Sequence, residues 1–206
     1  MDFNLLFIYF ASLSVIIPGL LSFHIYLRNN KKMTYLLSYC IVFSIVESSA
    51  GIMASNGIHN LWFYNIAMIV QFFIFSKVID IKNQLIIYGV VIFSILNYFF
   101  GEGIKYSNSI SFNVQNLVII ILGLRIIQQE YLKSINLKSN FRFLFTSLIV
   151  ISKIFYFLFF GIFNQINGKI RFLYDDELNA ILGLINLTFY TIWTYLLWKQ
   201  HFQTKL

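Results

Sequence analysis

The stretch RNNKKMTYLLSYCIVFSIVESSAGIMA, residues 28–54, decides the fold. It opens on a basic loop, Arg28-Asn29-Asn30-Lys31-Lys32, and from Met33 to Ala54 it is apolar or small with a single ionisable residue, Glu47. A bilayer core about 30 Å thick takes about 20 such residues as a helix. A helix is also the form of an open chain segment that satisfies every backbone donor and acceptor without water.

The same pattern recurs on either side. The sequence predicts spanning helices over Phe3–Leu27, Met33–Ala54, Leu61–Ile79, Leu85–Phe100, Ser111–Ile127, Phe143–Ile166 and Leu178–Trp198. The fourth and fifth barely reach spanning length, and flanking residues or tilt make up the difference. The breaks are short and polar: Ser55-Asn56-Gly57, then His59-Asn60, and later Gly101-Glu102-Gly103. The longest connection, Gln128 to Asn140, is placed to carry the fifth helix on into the cytoplasm. The first segment carries Asp2 where a signal peptide would be basic, and it lacks a small-x-small cleavage pattern, so it reads as a retained helix. The expectation is an all-α polytopic membrane protein, residues 1–206 forming a single seven-helix transmembrane domain.

Composition agrees. Of 206 residues, 59% are hydrophobic and 11% charged, against about 25% charged in soluble domains. With 24 Phe, 13 Tyr and 3 Trp, the chain suits lipid-facing surfaces and interfacial belts. The net charge of +7 does not point to nucleic acid, because the basic residues are dispersed through short loops rather than gathered on one face. They act as topology signals. Alternating connections place Arg28, Lys31, Lys32, Lys77, Lys82, Arg125, Lys133, Lys138, Arg142, Lys199 and Lys205 on one side, against Lys105, Lys169 and Arg171 on the other. The positive-inside rule makes the first side cytoplasmic, with the N-terminus outside and the C-terminus inside. The localisation expected is the cell inner membrane.

Two charged residues stand out deep inside spans, where charge is costly. Glu47 is 14 residues beyond Met33, or about 21 Å, and Lys153 is 11 beyond Arg142, or about 16 Å, at about 1.5 Å per residue. A lysine stem bridges the remaining difference of roughly 5 Å. The two predict a buried ion pair that fixes packing, a proton- or ligand-sensitive switch or polar ligand site, or two groups that do not pair. Polar stripes accompany them: Ser44, Glu47, Ser48 and Gly51; Asn65, Gln71 and Ser76; Thr146, Lys153 and Tyr156; and Asn179, Gly183, Asn186, Tyr190 and Thr194. Such side chains seek partners across helices, so the stripes mark faces turned into the bundle, as glue or as the lining of a polar centre. The candidate ligand-binding or switch residues are Glu47, Lys153, Asn186, Gln71, Tyr190 and Asn65.

Other features read more plainly. Pro18, the one proline, predicts a kink in the first helix. Cys40 reads as a small packing residue and His24 as interfacial. Asp175-Asp176-Glu177 complements the dipole of the last helix; a cation site shared with His59 or Glu102 is the sharper alternative. No phosphate loop, nucleophile elbow or HExxH occurs, so no catalytic residues, cofactor or metal are expected. A microbial-rhodopsin retinal lysine belongs in the seventh helix, whereas Lys153 is in the sixth.

The segments Asn60-Leu61-Trp62-Phe63-Tyr64-Asn65, Gln71-Phe72 and Ile185-Asn186-Leu187-Thr188-Phe189-Tyr190 give the chain a layout that resembles a loosely defined group of small, largely uncharacterised seven-helix membrane proteins of Bacteroidota-like bacteria. The resemblance implies a sensory or regulatory role beside a membrane-associated signalling protein such as a sensor kinase. The expected function is therefore a sensory or signalling-accessory module with a polar intramembrane site. The alternative is a small-molecule or ion transporter, against which stand the single proline and the lack of an internal repeat.

Overall fold

A computed structural model describes residues 10, 13–27, 33–56, 61–79, 81–101, 109–133, 136–137, 140–167 and 176–203. Among them every regular element is helical, and the α-helices are seven: α1 Ile16–Tyr26, α2 Met33–Ser55, α3 Leu61–Val78, α4 Gln84–Leu96, α5 Ser109–Lys133, α6 Phe141–Asn167 and α7 Asp176–Gln203. Among the described residues, three stretches are long and apolar enough to cross a bilayer: Gln84–Gly101, Ile110–Lys133 and Phe141–Leu158. Ile16–Ile25, Thr34–Phe43 and Trp62–Val78 are shorter apolar helical stretches.

Local sequence explains the ends. Ser14 and Val15 interrupt the helix ahead of α1, and Ile17 N bonds Ser14 O in a tightened 3.2 Å turn. Pro18 is the cause: it has no N–H for the Ser14 carbonyl and its ring crowds that oxygen. The kink therefore falls one turn before the proline. Asn83 caps α4, its side chain accepting from Ile86 N at 3.4 Å. The helix then widens into a π-helical turn over Asn97–Gly101, where the Asn97 carboxamide lies over Gly101 in the space a β-carbon would need. Asn140 caps α6 by accepting from Phe143 N at 3.0 Å, and its amide donates to Glu130 at 3.0 Å. Glu130 also meets Arg142 at 3.4 Å, which holds the last turns of α5 against the start of α6. This clasp helps carry α5 on to Lys133, six residues past the expected end.

Consecutive helices pack as neighbours, and α7 returns to pack on α1, closing the bundle. From α4 to α6 the neighbours run antiparallel. Along α5 and α6, Phe112 meets Tyr156, Gly123 meets Val150, and Glu130 meets Arg142. Along α4 and α5, Gln115 donates to Ser94 and Asn97 donates to Ser111. Gly123 lets α5 and α6 approach closely, and Gly19 does the same for α1 and α2, where a β-carbon would stand 2.9 Å from Cys40 Cβ. Small residues at contacts are how helices associate where lipid removes the hydrophobic driving force.

One half of the interior is an aromatic plug. Trp193, 0% exposed, lies 5.5 Å from Tyr39, 6.3 Å from Phe75 and 5.1 Å from Phe145 between ring centres, joining α7 to α2, α3 and α6. Tyr190, Phe72, Leu36 and Leu197 are buried around it. The outside of the bundle is the reverse of a soluble protein's: Leu20, Ile45, Ile92, Leu96, Ile121, Leu124, Phe155, Leu184 and Ile192 all project outward and exposed. An apolar belt of this extent requires a bilayer or a partner to cover it.

Candidate functional site

Lys153 projects from the middle of α6 into the bundle, where its ammonium is surrounded by rings. Nζ lies 4.7 Å from the centre of Phe75 on α3, 5.4 Å from Tyr156 one turn along α6, and 6.0 Å from Phe112 on α5. Among the described residues Lys153 makes no ion pair and no hydrogen bond. The negative faces of the rings attract the cation by about 0.5–2 kcal/mol each, but they give its three N–H groups no oxygen to bond.

Tyr156 ties this cluster to α7 by donating its hydroxyl to Asn186 Oδ1. One turn further along α7, Tyr190 is buried, shares a side-chain hydrogen bond with Tyr39 of α2, and stacks edge-on to Phe43 at 5.8 Å. Thr194 turns its hydroxyl back onto the Tyr190 carbonyl at 2.7 Å, so it serves the helix itself. The α7 stripe thus does face inward. Thr146 on α6 is buried at the Gly123 crossing.

On α3, Gln71 is partly buried one turn before Phe75, on the same helix face, and Asn65 is buried nearer the start of the helix. Asn65 belongs to the interior but not to the Lys153 cluster. Glu47 belongs to α2, and its side chain, like those of Ser44 and Ser48, lies outside the described residues. Its backbone position is still informative. Tyr39 opposes Trp193 and Phe43 opposes Tyr190, so the next turn of the same register sets Glu47 opposite Asn186. His24 is exposed near the end of α1, as an interfacial histidine would be. His59, Glu102, Asn179 and the Asp175-Asp176-Glu177 side chains lie outside the described residues.

Sequence reasoning missed a second polar group, on the first turns of α5. Ser111, Gln115 and Asn116 are buried there. Gln115 donates to Ser94 Oγ at 2.9 Å, and Asn97 donates to Ser111 Oγ at 3.1 Å, so α4 and α5 are zipped by side chains in an apolar setting. Asn116 Nδ2, Asn113 Oδ1 and Trp193 Nε1 are buried without a hydrogen-bond partner among the described residues. Such orphans are rare in folded proteins and mark sites with unmet capacity. The signal was present: three amides within four positions, Asn113, Gln115 and Asn116, are too many for the start of an ordinary lipid-facing helix.

Among the described residues, no three His, Cys, Asp or Glu side chains converge where they could hold a metal ion. Among the described residues the arrangement offers a cation, aromatic walls and buried amide atoms with no hydrogen-bond partner. Set against known proteins, the chain matches no family model, no curated relative and no solved structure.

Proposed function

We propose that this chain is a seven-span inner-membrane protein, N-terminus outside and C-terminus cytoplasmic, that acts as a sensory or signalling-accessory module through an intramembrane site centred on Lys153. The observation that carries the reading is the Lys153 ammonium itself, held among Phe75, Phe112 and Tyr156 with no counter-charge among the described residues. A mid-span cation with no counter-charge among the described residues is a standing demand for a ligand or partner group, and such residues are functional by default.

The division of the bundle into halves favours sensing over transport. Lys77, Lys82, Lys133, Arg142 and Lys199 cluster at the end nearest the Trp193 plug, the end taken as cytoplasmic. The buried amides Gln115 and Asn116 lie in the opposite half, near the start of α5. A polar outer half above a packed aromatic inner half suits a site filled from outside and closed toward the cytoplasm. Occupancy is then felt at Phe75, which touches both Lys153 and Trp193, and through them by helices that end in basic loops. Those loops give a membrane-associated signalling protein such as a sensor kinase its surface.

The test is purification from the native membrane in mild detergent with mass spectrometry of what accompanies the chain. A stoichiometric signalling protein is the expected companion. Isolation of the chain alone, together with substrate flux in liposomes that Glu47→Gln abolishes, would replace this reading with a transporter.

A further inference from the structure

Resting on the reading of Lys153 as the centre of a binding site, we infer that Lys153 and Asn116 together form a subsite for the carboxylate of a small organic anion with an apolar body.

Phe112, Asn116, Ile119 and Gly123 form one stripe of α5 at helical spacing. The stripe faces α6 at both ends: the Phe112 ring is 6.1 Å from that of Tyr156, and Gly123 packs on Val150. Lys153 lies midway between Val150 and Tyr156, so the antiparallel register sets Asn116 opposite Lys153. Asn116 is 1% exposed, and its Nδ2 has no acceptor among the described residues. Lys153 Nζ meets rings and no oxygen among the described residues. Two donors without acceptors therefore face one region of the interior, and a group that fills both must bring oxygen lone pairs and negative charge.

The class follows from charge and walls. One ammonium neutralises one negative charge. A dianionic phosphate would keep a second, uncompensated charge in a low-dielectric interior, at a cost of several kcal/mol. A carboxylate matches the charge, and its two oxygens serve Lys153 and Asn116 together. Phe75 and Phe112, bordering the ammonium, then suit a short apolar or aromatic body rather than a hydrated ion.

The test uses the whole chain in lipid nanodiscs with Trp62 and Trp198 replaced by Phe, leaving Trp193 as the sole reporter. Sodium benzoate is the probe, with neutral benzamide and sodium chloride as controls at matched ionic strength. Benzoate is expected to change Trp193 emission saturably and to raise the unfolding temperature, whereas benzamide and chloride do neither. Lys153→Met and Asn116→Leu are each expected to weaken benzoate at least tenfold. Equal responses to benzoate and benzamide would overturn the inference as simple partitioning. Binding that appears only in Glu47→Gln would overturn it too, because the chain's own carboxylate would then occupy the subsite. The two readings fail separately: a copurifying signalling protein with no benzoate response removes the carboxylate subsite alone. A benzoate response in a chain that purifies without a partner removes the signalling role alone.

Discussion

Replacing Lys153 with methionine should leave the protein as stable as before or make it more stable, an unusual expectation for a half-buried residue in mid-helix. The size follows from what the ammonium touches. A lysine at the centre of a spanning helix costs about 2.5–3.5 kcal/mol. Against this stand three ring contacts at 4.7, 5.4 and 6.0 Å, the last at the edge of the useful range. Because Lys153 is only half-buried, each contact is worth nearer the lower end of the range, about 0.5–1 kcal/mol, and together they return roughly 1.5–3 kcal/mol. Methionine keeps an unbranched stem of similar length and a polarizable end that packs well on rings. The net expectation for Lys153→Met is a change between about zero and 2 kcal/mol in favour of the variant. Reversible unfolding in mixed micelles, followed by circular dichroism, measures it, with Lys153→Gln as a polar control. A loss of 3 kcal/mol or more would refute the reasoning, since that is the size expected when one member of a buried ion pair is removed. In that event the double variant with Glu47→Gln would recover much of the loss and identify the partner.

Three further outcomes follow. Tyr156→Phe removes the hydroxyl that Asn186 accepts from and should cost about 0.6–2 kcal/mol, with Asn186→Leu non-additive to it in a double-mutant cycle. Trp193→Ala empties the centre of the aromatic plug, where the side chain is 0% exposed, and should cost about 3–5 kcal/mol by the same unfolding assay. Gly123→Val drives a side chain into Val150 at the α5–α6 crossing and should cost about 1–3 kcal/mol, whereas Gly89→Ala, with open space around it, should change stability by less than about 1 kcal/mol.

How much of this was legible depends on what kind of information each feature carries. Helix positions rest on runs of apolar residues, which are local, and α2 to α7 fall close to the expected segments, whereas α1 covers only Ile16–Tyr26 of the expected Phe3–Leu27 because the helix breaks at Ser14 and Val15. α5 runs on to Lys133, into the connection expected to continue it, where Asn140 and Arg142 hold Glu130, a contact between residues on either side of a loop. The inward face of α7 was legible because Asn186, Tyr190 and Thr194 recur at helical spacing. Trp193, three residues beyond Tyr190, shares that face and sits at the centre of the plug. Yet in a chain with 24 Phe and 13 Tyr an aromatic residue carries no sign of whether it meets lipid or protein. In water, burial separates the two; in a bilayer both surroundings are apolar, so only polar neighbours betray the inner face. Lys153 was conspicuous for its charge, but its ring neighbours come from α3 and α5, and nothing in the sequence states which helices adjoin α6 or at what height. Asn116 shows the same limit from the other side. Read along the chain it is one more polar residue near the start of a span; once the Gly123–Val150 contact sets the register, it stands opposite Lys153, whose ammonium meets rings and no oxygen among the described residues.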